Sequence, residues 1–319
     1  VRLTITEHLI GFALGELVLG WLCDRYGRRT VLLRALLVMS TFSWLPLVFQ
    51  TPLCLQIVRL IQGFTCATPS ICARALISDR YPPNEQIKHH AKIPMAYGLG
   101  LLINTYAGNW LFERFGWQGG AVSFCLISAC AALLIAGFLP ETLKTPYRGS
   151  LIQPLRQLIV DQHALKTMLN LTTAVTILPA VYLSLPFLLA HAFQGQTPHY
   201  GPYLSLMVCV YIVGSIICQI AHRYRVNPSE KTLFIVLLTL SLTGRIIVGY
   251  WGQTPMTICL ILAALTLFSS AMASGGMARS MIRREQHAAV SAGIYGSLVC
   301  GASSFFLMAI ARLNPYDLS

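Results

Sequence analysis

Few side chains in this sequence could do chemistry, and they stand out because their neighbours are apolar. Glu16 is the one acid inside an uninterrupted apolar stretch, Arg59 is a base deep within another, and Arg245 sits nearer the end of a third. Arg59 lies about 10 Å from the end of its stretch at 1.5 Å per helical residue, whereas Arg245 can extend its charge to an interface. Ionisable groups in such surroundings are costly and mark ion or substrate paths, and a carboxyl held there is a candidate for proton exchange. A second group follows closely, reading Gly20-Trp-Leu-Cys-Asp24-Arg25-Tyr-Gly27-Arg28-Arg29. Asp24 falls about 12 Å beyond Glu16 along the same helix. An acid at a helix C-terminus opposes the dipole, so Asp24 requires a cationic partner. Gly20 permits a neighbouring helix to approach closely, and Gly27 permits a tight turn.

Other chemistries lack their residues. The ten cysteines include no Cys-x-x-Cys pair, so they read as small packing residues rather than metal or redox ligands. His89-His90 has no ligand spacing, no nucleotide-binding loop occurs, and no acid pair or nucleophile–base arrangement is visible. No cofactor is expected, and the chain does not read as an enzyme.

The elements that position these residues follow from composition. Of 319 residues, 55% are hydrophobic and 11% charged, and the mean hydropathy is +0.63. A soluble domain carries about 25% charged residues, so a soluble enzyme of this length is excluded, as is a disordered chain. About 20 apolar residues cross a bilayer as a helix. Ten stretches qualify: 8–23, 31–49, 52–76, 93–112, 118–139, 167–193, 200–221, 232–251, 256–278 and 288–310. The fold class expected is all-α, a polytopic membrane protein.

The net charge of +12 would suggest nucleic acid in a soluble protein. Its placement says otherwise. Arg25, Arg28 and Arg29 follow the first stretch; Arg80, Lys88 and Lys92 the third; and Lys144, Arg148, Arg156 and Lys166 the fifth. Arg223, Arg225 and Lys231 follow the seventh, and Arg279, Arg283 and Arg284 the ninth. Lys and Arg concentrate in cytoplasmic loops, so these connections are assigned to the cytoplasm and both chain ends to the outside. Anionic lipid, not nucleic acid, is the partner of such a rim. The polar segment 143–166 separates five stretches from five, dividing the chain into bundles 1–142 and 167–319 as a two-bundle transporter would. Its 151–160 part is amphipathic and is expected on the membrane surface.

The Gly20–Arg29 spacing is similar to the loop signature between the second and third helices of the major facilitator superfamily. Arg59-Leu-Ile-Gln62-Gly63 resembles that superfamily's fourth-helix motif. The ending Arg74-Ala-Leu-Ile-Ser-Asp79-Arg80, the Phe115-Gly-Trp117 turn and Leu139-Pro-Glu141-Thr142 resemble the bicyclomycin and chloramphenicol type of bacterial drug–proton antiporter. The resemblance implies a cytoplasmic latch of Gly20, Asp24, Arg25, Gly27, Arg28 and Arg29, with Asp79, Arg80 and Glu141 as its partners. It also implies that Arg59, with Gln62, takes part in proton coupling, and that Glu16 stands where relatives usually carry glutamine. Two departures accompany it. The stretch Asn104-Thr-Tyr-Ala-Gly108-Asn109-Trp lacks the proline of the antiporter signature. The latch loop follows the first stretch where the family's follows the second, so the family's first and last helices are expected to be missing.

The function expected is proton-coupled efflux of small amphipathic drugs by a monomer in the bacterial inner membrane. A metabolite transporter on the same scaffold and a truncated, transport-incompetent membrane protein are the alternatives.

Overall fold

In hydrocarbon every peptide N–H and C=O must find its partner within the segment, which leaves an apolar stretch of this length one option, the helix. The computed structural model is accordingly helical, with no strand among its described residues. Those residues are 2–90, 92–143, 145–153, scattered positions between 156 and 185, 200–223, 235–236, 239–240, 243–244, 254–282, 289–298 and 301. Arg245, Lys144, Arg225, Lys231, Arg283, Arg284, Cys300 and most of the expected spans 167–193 and 232–251 lie outside them, as does most of 151–160.

The helices in chain order are α1 (Arg2–Tyr26), α2 (Arg28–Ser43), α3 (Leu45–Val48), α4 (Pro52–Arg80), α5 (Pro83–His90) and α6 (Lys92–Phe138). After these come α7 (Tyr200–Arg223), α8 (Pro255–Ile282) and α9 (Ala289–Leu298). The expected span 31–49 is divided at Trp44, where Pro46 opens the short α3. The expected spans 93–112 and 118–139 are the two arms of α6, broken at Gly116, whose φ of 60° and ψ of −155° lie outside the helical region. Among the described residues four segments are long and apolar enough to cross a membrane: Arg28–Val48, Pro52–Arg80, Lys88–Phe138 and Gly201–Ala221. Large apolar side chains such as Phe138 (83% exposed) and Leu133 (74%) point outward, which suits a hydrocarbon solvent and not water.

Two compact units form. The first combines residues 1–86, 110–165 and 281–319. Within it α1 and α4 run in the same direction, with His8 beside Gly63, Gly15 beside Phe64 and Cys23 beside Cys72. A side chain at Gly15 or Gly63 would collide with backbone of the opposite helix, so these glycines set the close approach. α2 runs back against α4, as Cys66 Sγ on Met39 Sδ (3.3 Å) and Gln62 Nε2 on Ser43 Oγ (2.9 Å) record. The second arm of α6 lies against α2, where Ser40 Oγ donates to the Cys125 carbonyl (3.2 Å).

The second unit combines residues 87–109 and 166–280. Its core gathers Val181, Leu185, Met207, Ile258 and Cys259. The first arm of α6 runs against α7 through Gly98 on Ile212 and Ser205 Oγ donating to the Tyr106 hydroxyl (3.1 Å).

Candidate functional site

The structure brings charged residues of the first unit together in three groups, at three levels along α4. That helix has 29 residues, about 43 Å, so it exceeds a hydrocarbon core of about 30 Å and carries its C-terminal end beyond it.

At that end is the loop group. Gly27, at φ 100°, makes the turn from α1 to α2 and has no side chain to cap α2. Glu141 does so instead: its carboxylate accepts from the Arg28 amide (2.9 Å) and the Arg29 amide (3.2 Å), and fills the space a Cβ on Gly27 would need. The Arg28 side chain is buried between two acids. Its Nη2 lies 2.8 Å from Asp24 Oδ1 and its Nε 3.0 Å from Asp79 Oδ2, while Nη1 donates to the Cys23 carbonyl (3.1 Å). Thr142 Oγ1 also donates to Asp79 (2.8 Å), and Arg29 Nη2 donates to the Ala136 carbonyl (2.7 Å). Asp24 has a further role. Its carboxylate accepts from the amides of Val290 (2.8 Å) and Ala289 (3.4 Å), so it caps the first turn of α9. Gly20 lies one turn inward against the Ala289 carbonyl, where it lets the helices touch. Arg25 is exposed and rests on the rings of Trp21 and Tyr26 at 5.1 and 5.6 Å, and Arg80 is exposed at the end of α4. The start of the 143–166 segment is tied to α1 by the Tyr147 amide on the Asp24 carbonyl (2.8 Å) and Trp21 Nε1 on the Gly149 carbonyl (3.1 Å).

Inward from it lies a buried ion pair. Glu16 is 1% exposed, and Arg74 Nη2 reaches its two carboxylate oxygens at 2.7 and 3.0 Å. The same guanidinium donates to the Ala292 carbonyl of α9 (3.0 Å) and to Ser70 Oγ (2.6 Å) and Ser70 O (3.0 Å), and stands 5.6 Å from the Tyr295 ring. Gly293 and Gly296 leave room on α9 for the Glu16 backbone and carboxyl. One acid and one base thus join α1, α4 and α9. The sequence reading counted three ionisable side chains inside the apolar stretches and did not include Arg74, which is 2% exposed. The third group is smaller: Arg59 Nη1 donates to Gln62 Oε1 (3.3 Å), and Gln62 passes the contact to Ser43. Arg59 is 15 residues from Arg74, about 22 Å along α4, so it does not join Glu16.

A sulfur pair accompanies the loop group, with Cys23 Sγ and Cys72 Sγ buried 3.6 Å apart. Among the described residues no three His, Cys, Asp or Glu side chains form a metal-binding group.

Comparison with known proteins gives the family. An uncharacterized transporter of Rickettsia bellii is 24% identical over 242 residues, covering 74% of this chain and 59% of its own length. A bicyclomycin resistance protein homolog of Haemophilus influenzae is 22% identical over 313 residues, covering 93% of this chain and 76% of its own. The crystal structure of the human organic anion transporter MFSD10 matches in fold, with a TM-score of 0.69 and 20% identity over 98% of this chain and 78% of that one. The sequence profile of the Major Facilitator Superfamily matches residues 2–307. The chain is therefore a multi-pass membrane protein and belongs to the Major Facilitator Superfamily.

Proposed function

We propose that the chain is a secondary transporter exporting small amphipathic drugs in exchange for protons, and that Glu16 carries the proton. The observation that carries this reading is the buried Glu16–Arg74 pair, because its guanidinium also holds a carbonyl of α9. Coupling requires that proton and drug stabilise different access states. Protonating Glu16 removes the ion pair and leaves Arg74 with only neutral acceptors, Ser70 and Ala292, so the proton favours a state in which α9 is less firmly held to α1 and α4. Drug binding favours the other. The Asp24–Arg28–Asp79 group acts as the cytoplasmic latch for the same movement, and Arg59 with Gln62 belongs to the coupling or substrate path. In this reading residues 1–142 and 167–319 are the two bundles, joined by the linker 143–166. The Lys- and Arg-rich connections face the cytoplasm of a bacterial inner membrane, and the transporter works as a monomer.

The resistance-protein relative supports drug export as the direction and substrate class. Expression in a strain lacking its own pumps is expected to raise resistance to a lipophilic antibiotic, and a protonophore to abolish the effect. Unchanged resistance contradicts the reading. Metabolite transport is the second reading, favoured by one feature: Asn104–Trp110 has no proline where the antiporter signature of the resembled family places one. Counter-flow with labelled metabolites separates the two.

A further inference from the structure

Arg34 belongs to neither the latch nor the ion pair. Arg34 lies six residues into α2, about 9 Å from its start, yet it is exposed and makes no hydrogen bond or ion pair with any described residue. It stands at a lateral groove of about 600 Å³ formed by α1, α2 and α4. The groove wall is mostly apolar, with Leu14, Val38, Leu60 and Phe64; beside Arg34 its polar side chains are Tyr26, at the loop end of α1, and Thr65, whose hydroxyl donates to the Ile61 and Gln62 carbonyls. An unpaired guanidinium that far into a span is costly unless an anion meets it. The groove lining holds no acid, and its apolar wall suits a hydrocarbon chain.

We propose that this groove is a seat for an anionic phospholipid, its acyl chain along the Leu14–Phe64 wall and its phosphate on Arg34 with the Tyr26 hydroxyl. Charge complementarity selects the occupant. The groove's loop end adjoins the cationic turn of Arg25 and Arg29, and basic pockets between transmembrane helices on the cytoplasmic side take anionic head groups. A neutral amphiphile would leave Arg34 without a counter-charge. The inference uses the orientation proposed above but not transport, so a binding measurement tests it even if the chain carries no drug.

The purified full chain in neutral detergent is titrated with phosphatidylglycerol and, separately, with phosphatidylcholine, and bound lipid is counted by native mass spectrometry. Phosphatidylglycerol is expected to bind in preference, and Arg34→Gln to weaken it about fivefold, the worth of one basic residue near a membrane surface. Val38→Trp, which fills the wall and leaves the charge, is expected to weaken both lipids. Arg148→Gln, on an exposed connection and not part of the groove lining, is expected to change neither. Because Arg34 bonds to no described residue, its variant is expected to fold, and unchanged phosphatidylcholine binding verifies that. Equal affinity for the two lipids overturns the proposal. So does an equal loss in Arg34→Gln and Arg148→Gln, which makes the attraction a property of the whole basic rim.

Discussion

The loop group and the buried pair are both built from carboxylates and guanidinium groups, and they differ in how many opposite charges each buried arginine meets. Arg28 has two acids and a carbonyl, Asp24 has a cation and two amides, and Glu141 caps two amides. Removing either acid leaves Arg28 with the other, and removing Arg28 leaves Asp24 its two amides and Asp79 its Thr142 hydroxyl. The inner pair is a single acid against a single base, and the further partners of Arg74, Ser70 and the Ala292 carbonyl, are neutral. A lost partner there leaves an uncompensated charge in a low-dielectric interior. Losing one acid therefore leaves Arg28 still paired at the rim and Arg74 without a counter-charge inside.

The largest effect that sharpens this contrast is expected from Arg74→Ala, which strands Glu16 and should cost about 3–5 kcal/mol, the usual penalty for breaking a buried pair. Thermal melts of the purified protein would show it. Glu16→Gln leaves Arg74 without its counter-charge and should cost less, because Ser70 and the Ala292 carbonyl still accept from it. The double variant Glu16→Gln/Arg74→Ala should recover most of the Arg74→Ala loss; a double variant as unstable as Arg74→Ala breaks the contrast. Next comes Gly296→Ala, whose new methyl meets the Glu16 carboxyl, an overpacking expected to cost about 1–3 kcal/mol. Added to Glu16→Ala, which already removes the carboxyl, Gly296→Ala should cost little more, and the same melts check it. Glu141→Gln is smaller, about 1 kcal/mol, because it weakens a cap and leaves the Asp24–Arg28–Asp79 contacts in place. Arg25→Gln should lie within about 0.5 kcal/mol of the parent, since its charge only rests on surface rings. A loss there as large as at Arg74 would erase the difference between rim and interior.

The sequence carried a good deal of this arrangement. The need of Asp24 for a cation followed from its place at a helix end, and Arg28 four residues on supplies it. The break at Phe115-Gly-Trp117 and the role of Gly27 were also legible, because glycine between apolar helices has few other uses. What Asp24 does for α9 was not, since its partners are backbone amides more than 260 residues away in a half of the chain without a motif. Arg74 was passed over because it lies near the end of an apolar stretch, beside Ser78, Asp79 and Arg80, and resembles one more rim residue. A signal for it existed. If Asp24 and Asp79 share Arg28, then α1 and α4 run in register, and counting eight residues back on one helix and five on the other brings Glu16 and Arg74 to similar depth. Arg34 escaped for the same reason: hydropathy averages one base into a long apolar run without asking which face it is on.

Proton coupling through Glu16 is the claim on which the functional account rests. Purified protein reconstituted into liposomes, with a pH gradient imposed and uptake of a fluorescent lipophilic cation followed, tests it directly. The account predicts gradient-driven uptake by the parent, and a Glu16→Gln variant that still equilibrates the dye but no longer responds to the gradient. A Glu16→Gln variant with the parent's full response to the gradient would contradict it.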